Sequence, residues 1–136
     1  MIQKIILFSS LLFLFTACDF YDSRLIINNN SSKNIYVAII PDTILSLGEN
    51  KTFIMSPKYI KMFSKKKLII PGKKGWEELA NKSIKNKLHI FILIEDTLKS
   101  YSAEEIAKKQ LFEKRIDIGI EELMKNKWEV EYKGEL

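Results

Sequence analysis

Apolar positions are most concentrated between Leu88 and Ile94, a run that is rich in β-branched residues. A run of this length with no polar face predicts a central strand covered on both sides. The segment Trp128–Tyr132 alternates instead, with its two glutamates on one face and Trp128, Val130 and Tyr132 on the other. Strict alternation has the two-residue period of a strand with one buried face.

Weaker patterns extend this prediction along the chain. Arg24–Asn28 and Asn34–Ile40 flank an Asn- and Ser-rich turn and predict a hairpin that Pro41 ends. Further strands are predicted at Lys51–Met55, Lys67–Ile70 and Lys114–Ile118, and Tyr59–Phe63 fits either a strand or one helical turn. Short helices are predicted at Trp76–Ala80, at Ile120–Lys125, and from Ser102, with Glu105 completing a capping box, to about Leu111.

These elements favour a mainly β fold, an antiparallel sheet or sandwich of about six strands with short helices in the connections. The alternative is an α+β fold, and the middle third of the chain decides between the two. The length of the chain suits one globular domain, which the pattern places at residues 24–136.

The N-terminal segment has the layout of a secretory signal. Lys4 precedes an apolar run of 11 residues, Ile5–Phe15, that only two serines interrupt. A helix needs about 20 residues to cross a hydrocarbon core of roughly 30 Å, so this run is too short for a permanent span.

The residues that follow, Phe15-Thr16-Ala17-Cys18, resemble the lipobox read by lipoprotein signal peptidase, although the usual pattern has an aliphatic residue where Phe15 stands. The resemblance implies removal of residues 1–17, attachment of palmitate-like acyl chains to Cys18, and a lipidated tether over residues 18–23. Cys18 is the only cysteine, so lipidation leaves no thiol for a disulfide or a nucleophile. The alternative is an ordinary signal peptide with an incidental cysteine.

Three segments near the end of the chain, Asp96–Ile106, Lys114–Ile118 and Asn126–Tyr132, follow the patterns D-T-L-x-x-Y-S-x-E-x-I, K-R-x-D-[IL] and N-x-W-x-V-x-Y. With Ile27–Asn29, Ile35–Val37 and Pro41–Thr43 near the start of the mature chain, they resemble a group of small uncharacterised lipoproteins of Bacteroides-type bacteria. The departures are Ile116 where the group has Tyr, and Lys127 inserted before the Trp. The resemblance implies a membrane-anchored lipoprotein of the cell envelope, in the outer membrane on its periplasmic or cell-surface face, and implies no activity.

Positive charge is concentrated between Ser56 and Leu88, a segment with ten lysines and only two glutamates. Such a stretch could bind anionic envelope polymers or lipid headgroups. The alternative is that these lysines are ordinary solvent-exposed residues of a lysine-rich chain. The candidate anion-binding residues are Lys65, Lys66, Lys67, Lys73 and Lys74. The aromatic residues nearby form no stacking pattern, which argues against a nucleic-acid partner.

Candidate catalytic chemistry is weak. His89 is the only histidine and lies inside the strongest predicted strand, which favours a packed or hydrogen-bonded core residue. Four adjacent carboxylate pairs occur, and Glu105, Glu121 and Glu122 are better explained as charges at helix N-termini. The sequence predicts no cofactor, no metal site and no catalytic residue.

Two tripeptides, Asp42-Thr43-Ile44 and Asp96-Thr97-Leu98, resemble the Asp-Thr-aliphatic acceptor of O-glycosylation in Bacteroides-type bacteria. Both are predicted to lie in turns after strands, which makes Thr43 and Thr97 candidate glycosylation sites. The alternative is an aspartate that caps a turn through its side chain.

Together these features predict a lipid-anchored, non-enzymatic envelope module that binds a protein or a glycan. The runner-up is a binder of anionic polymers or lipid headgroups through Lys58–Lys87, and a hydrolase is the third reading.

Overall fold

The strand predicted around His89 lies at the centre of the fold. A computed structural model of the chain describes residues 21–46, 59–62, 66–69, 72–73 and 75–134. Its strands are β1 (Tyr21–Asp22), β2 (Ile26–Asn29), β3 (Ile35–Ile40), β4 (Tyr59–Met62), β5 (Lys66–Ile69), β6 (Gly72–Lys73), β7 (Lys87–Ile94), β8 (Lys114–Gly119) and β9 (Glu129–Tyr132). Its helices are α1 (Trp76–Lys82), α2 (Glu95–Ser100), α3 (Ala103–Lys109) and α4 (Ile120–Lys125).

The largest sheet is antiparallel, with the order β4-β3-β7-β8. A second sheet has the order β5-β2-β9, in which β2 runs antiparallel to β5 and parallel to β9. The two-residue strands β1 and β6 form a separate antiparallel ladder. The fold is therefore mixed α+β, and the leading prediction of a mainly β antiparallel sheet of six strands is wrong.

Strict alternation along β3 and β7 sends side chains into two apolar layers. On one face, Val37 of β3 and Ile90 of β7 pack in a cluster that also contains Ile27 of β2 and Val130 of β9. On the other face, Phe91 of β7 packs in a cluster with residues of the same sheet, of α3 and of the loop after β3. The large sheet is thus the middle layer, between the β5-β2-β9 sheet and the helices α2 and α3.

Several local predictions are confirmed. Six of the eight residues of β7 are buried, as expected for a covered central strand. Ser102 accepts the Glu105 N–H and Glu105 accepts the Ser102 N–H, which is the predicted capping box at the start of α3. Helices α1 and α4 and strand β8 also lie where the sequence places them.

The predicted hairpin is wrong, because β2 and β3 pair in different sheets. Asp96, expected to lie in a turn after a strand, lies in the first turn of helix α2 instead. Tyr21 and Asp22, assigned to the tether, form β1. The strand predicted at Lys51–Met55 falls outside the described residues.

Candidate functional site

The lysines proposed to bind anions do not all lie in one ladder. Lys73 of β6 pairs with Tyr21 of β1, whereas Lys66 and Lys67 of β5 pair with Asn29 and Asn28 of β2. Lys65, Lys74 and the lipidation residue Cys18 lie outside the described residues. The backbone therefore brings one lysine of this set beside the first described strand.

A charged cluster that the sequence did not predict fixes the N-terminus of the fold. Arg24 Nε and Nη2 donate to the two carboxylate oxygens of Asp22 at 2.9 and 2.6 Å. Its Nη2 also donates to both oxygens of Glu77 on α1, at 2.7 and 2.6 Å, and its guanidinium lies 3.9 Å from the ring centroid of Trp128. We call Asp22, Arg24, Glu77 and Trp128 the N-terminal clamp.

Asp22 also takes part in starting helix α1. Gly75, with φ of 91°, lies at the N-cap position and offers no side chain to cap the helix. Asp22 Oδ2 instead accepts the N–H of Trp76, the first helical residue, at 3.2 Å. The same carboxylate thus joins β1, Arg24 and α1, and it does so from a buried position with 3% of the residue exposed.

The electrostatics of the clamp favour the charged forms of its members. Hydrogen bonds from Arg24 lower the pKa of Asp22, although burial acts in the opposite direction. The same guanidinium lowers the pKa of Glu77, and the two carboxylates raise the pKa of Arg24. Bidentate, charge-assisted contacts of this kind are stronger than neutral hydrogen bonds, so the clamp can hold the end of β1 against α1 and Trp128.

His89 is a hydrogen-bonded core residue, as predicted. Its Nδ1 lies 2.8 Å from Asp117 Oδ1, and its Nε2 lies 2.9 Å from the carbonyl oxygen of Ile84. Burial acts to raise the pKa of Asp117, but hydrogen bonds from His89 and Arg115 outweigh it and leave that pKa lowered. Both ring nitrogens are occupied within the fold.

Each of the four carboxylate pairs lies in the first turn of a helix. They are Glu77 and Glu78 in α1, Glu95 and Asp96 in α2, Glu104 and Glu105 in α3, and Glu121 and Glu122 in α4. Negative charge there complements the partial positive charge of the helix N-terminus. Within the part of the chain that the structure describes, no three His, Cys, Asp or Glu residues group as metal ligands.

The two candidate glycosylation sites differ in their surroundings. Thr43 lies in the irregular loop after β3, as predicted, and Asp42 Oδ1 accepts the Ile44 N–H at 3.1 Å in the turn. Thr97 lies inside α2, so its predicted turn is wrong. Thr43 is the one of the two that combines the motif with an irregular backbone.

A cavity of about 260 Å³ lies between the loop before β3 and the start of α2, lined by Ser32, Lys33, Asn34, Ile94, Glu95 and Asp96. Its polar groups engage the protein itself: Asn34 Nδ2 donates to Glu95, and Lys33 pairs with Glu113 outside the cavity.

Over the described ranges, no helix is both long and apolar enough to cross a bilayer.

Replacing Asp22 with Asn should destabilise the fold by about 1.5 to 3 kcal/mol near neutral pH, because a buried hydrogen-bonded charge is lost. The pKa of Asp22 is lowered in the fold, so its contribution is full above the ordinary value of 3.8 and is lost as the pH falls through the lowered value. The measurement is urea denaturation of wild type and variant at about pH 7 and in acid, where the two stabilities should converge.

Asp42→Asn is the matched control, since the amide oxygen of Asn can still accept the Ile44 N–H. We expect it to stay within about 0.5 kcal/mol of wild type. An Asp22→Asn protein as stable as this control at neutral pH would show that the clamp does not hold the fold.

Comparison of the chain with protein-family models, with curated proteins and with solved structures finds no significant match in any of the three.

Proposed function

We propose that this chain is a lipid-anchored protein of the bacterial cell envelope, held at the membrane through Cys18, whose domain binds another envelope protein or a glycan without catalysis. The observation that carries the proposal is the short apolar run that ends at Phe15, followed by Thr16, Ala17 and the single cysteine. The likeness to small lipoproteins of Bacteroides-type bacteria supports an outer-membrane location, on the periplasmic or the surface face.

Acyl chains supply the anchoring energy. Each buried methylene contributes about 0.8 kcal/mol, so one chain binds reversibly, whereas two or more hold a protein lastingly. Lasting attachment confines the domain to the plane of the membrane and raises the local concentration of any partner anchored there.

The position of β1 adds a geometric consequence. Only two residues lie between Cys18 and Tyr21, and an extended chain covers at most about 10 Å over the three steps between them. Because β1 is paired with β6 and Asp22 is bound in the N-terminal clamp, the anchor would pull on ordered structure rather than on a long tether. The domain would therefore stand close to the headgroups.

The side chains that first suggest catalysis have other roles, which supports a binding function. Both nitrogens of His89 are engaged in the core. The carboxylate pairs lie at helix starts, where they complement the helix charge, and adjacent residues there do not face each other across a cleft as the two carboxyls of a glycosidase do.

The lipid anchor predicts both the mass and the partitioning of the native protein. Wild type should begin at Cys18, exceed the mass of residues 18–136 by the attached acyl groups, and enter the detergent phase of a phase separation. Cys18→Ser should carry no added lipid. Phe15→Leu, which restores the usual lipobox residue, is the control and should be processed at least as completely as wild type.

Two results would contradict the proposal: a native chain that begins at Met1, or one that stays in the aqueous phase with a free thiol.

The same mass spectrum tests whether Thr43 is glycosylated. An added sugar mass that disappears in Thr43→Ala but remains in Thr97→Ala would support it, and a mass explained by lipid alone would rule it out.

The second candidate function is binding of anionic polymers or headgroups through the basic stretch. The observation that favours it is the pairing of Lys73 with Tyr21, which comes three positions after Cys18 in the sequence. Negative residues lie nearby as well, since Asp22 and Glu77 more than neutralise Arg24. This second candidate therefore depends on the lysines of the basic stretch for a positive field at this end of the domain.

Binding of the purified protein to dextran sulfate at increasing salt tests this second candidate. The candidate predicts that changing Lys65, Lys66, Lys67, Lys73 and Lys74 together to Gln weakens binding and flattens its salt dependence, because fewer counterions are released. The control changes five lysines elsewhere: Lys99, Lys108, Lys109, Lys114 and Lys125. Equal losses in the two variants would show that net charge alone is responsible, and the candidate would fail.

A further inference from the structure

Among the described residues, the ring nitrogens of His89 make hydrogen bonds to two groups, and both of these groups are acceptors. The residue is 1% exposed, and its nitrogens lie within hydrogen-bond distance of the Asp117 carboxylate and the Ile84 carbonyl oxygen. A carbonyl oxygen and an ionised carboxylate can only accept. Hydrogen bonds from His89 and Arg115 keep the pKa of Asp117 lowered, which favours the ionised carboxylate.

A neutral imidazole carries one N–H and satisfies only one of these contacts. Its other nitrogen would then present a lone pair to an oxygen less than 3 Å away. An imidazolium donates from both nitrogens, so both contacts become favourable hydrogen bonds. The geometry around His89 therefore fits the protonated ring.

Two hydrogen-bonded arms lead from this ring to the loop of residues 41–46. In the first arm, Arg115 Nε binds Asp117 Oδ1 at 3.0 Å and Arg115 Nη1 donates to the Thr43 carbonyl at 2.6 Å. The second arm runs through Ile84. Its carbonyl oxygen lies beside His89, and its N–H donates to the Pro41 carbonyl at 3.0 Å. The same loop is thus held from both sides of one titratable group.

The neighbouring elements place Asp117 as the acid in contact with the ring. On β8, Asp117 lies opposite His89, and Arg115 reaches the same carboxylate. On β3, the residue opposite His89 is the apolar Ile40. Other charged groups nearby are Asp42, whose carboxylate accepts the Ile44 N–H, Lys85 in the exposed turn after α1, and the half-buried Lys87 on β7.

We propose that His89 is a proton-dependent latch that holds the loop of residues 41–46 when the ring is protonated and loosens it when the proton is lost. The neutral ring can keep only one of its two contacts, so one arm is released. Acidic conditions therefore favour the ordered loop and alkaline conditions the loosened one. The latch does not depend on the lipid anchor, so either idea can fail without the other.

Loosening this loop would change the surface around two exposed apolar residues. Ile44 is 60% exposed, and Ile84, whose N–H is bonded to Pro41 at the start of the loop, is 44% exposed. The loop also carries Thr43, whose carbonyl is the end of the first arm. A proton bound in the core would thus control the presentation of a small apolar surface and of the adjacent threonine.

Amide hydrogen exchange of the full chain in detergent micelles tests the latch at about pH 5 and about pH 9, on either side of the range in which an imidazole ordinarily changes charge. After correction for intrinsic exchange, protection of the Ile44 and Ile84 amides should fall about two- to tenfold at the higher pH, the range of one lost hydrogen bond. The Leu45 amide, which donates to Gln110, should change less. Amides of Ile90 and Ile92 should show a smaller change.

Asp117→Asn is the informative variant, because the amide of Asn can donate to the neutral ring while the opposite nitrogen donates to Ile84. Its loop should stay protected at both pH values, with less than about a twofold difference. Asp96→Asn, which changes an exposed carboxylate in α2, is the matched control and should keep the wild-type pH dependence.

Arg115→Gln provides a second test that changes a side chain that is 35% exposed and cuts only the first arm. It should speed exchange of the Ile44 amide at both pH values and leave the pH dependence at Ile84. The proposal is overturned if wild-type loop protection is the same at both pH values, if the loss is equal throughout β7, or if a folded Asp117→Asn protein keeps the wild-type response.

Discussion

The eight residues of β7 lie between two apolar layers, and their backbone groups can be satisfied only by strands on both sides. Buried N–H and C=O groups away from water must be paired, which β3 and β8 achieve along the length of β7. Each large apolar side chain removed from water contributes about 1.5 to 3 kcal/mol, so Ile90 on one face and Phe91 on the other require a cover. The small sheet and the helices α2 and α3 supply those covers.

Two clusters of charged and hydrogen-bonded side chains join the peripheral segments to these layers. β1 contributes only two residues, too few to be held by its ladder with β6 alone, and the N-terminal clamp adds Arg24 contacts to α1 and to Trp128. On the opposite side of the middle layer, His89 and Asp117 tie β7 and β8 to the turn after α1. Both clusters join segments that are distant in sequence.

Local patterns predicted the elements whose causes are local. The β-branched run of β7 and the capping box of Ser102 and Glu105 each lie within a few residues, so their structures followed from the sequence. Helix α2 escaped prediction because no side chain caps its first turn and Ile94 stands at its N-cap. The hairpin failed because alternation shows that β2 and β3 have buried faces but does not show which sheet buries each one.

The remaining features of the fold depend on pairing between residues that are far apart in the sequence. β2 runs parallel to β9, about a hundred residues later in the chain, and no local pattern encodes that choice. Glu77, which completes the clamp, lies 53 residues from Arg24. The His89 contacts were predicted only as a satisfied core histidine, since the identity of two acceptors depends on the β7–β8 register and on the turn at Ile84.

The central claim, that a strand covered on both faces organises the domain, is tested most directly by native-state hydrogen exchange measured residue by residue. We expect the amides of Ile90 to Leu93 to exchange slowest, with an opening free energy equal to that of global unfolding. Exchange of these amides as fast as those of β9 or α2 would contradict it.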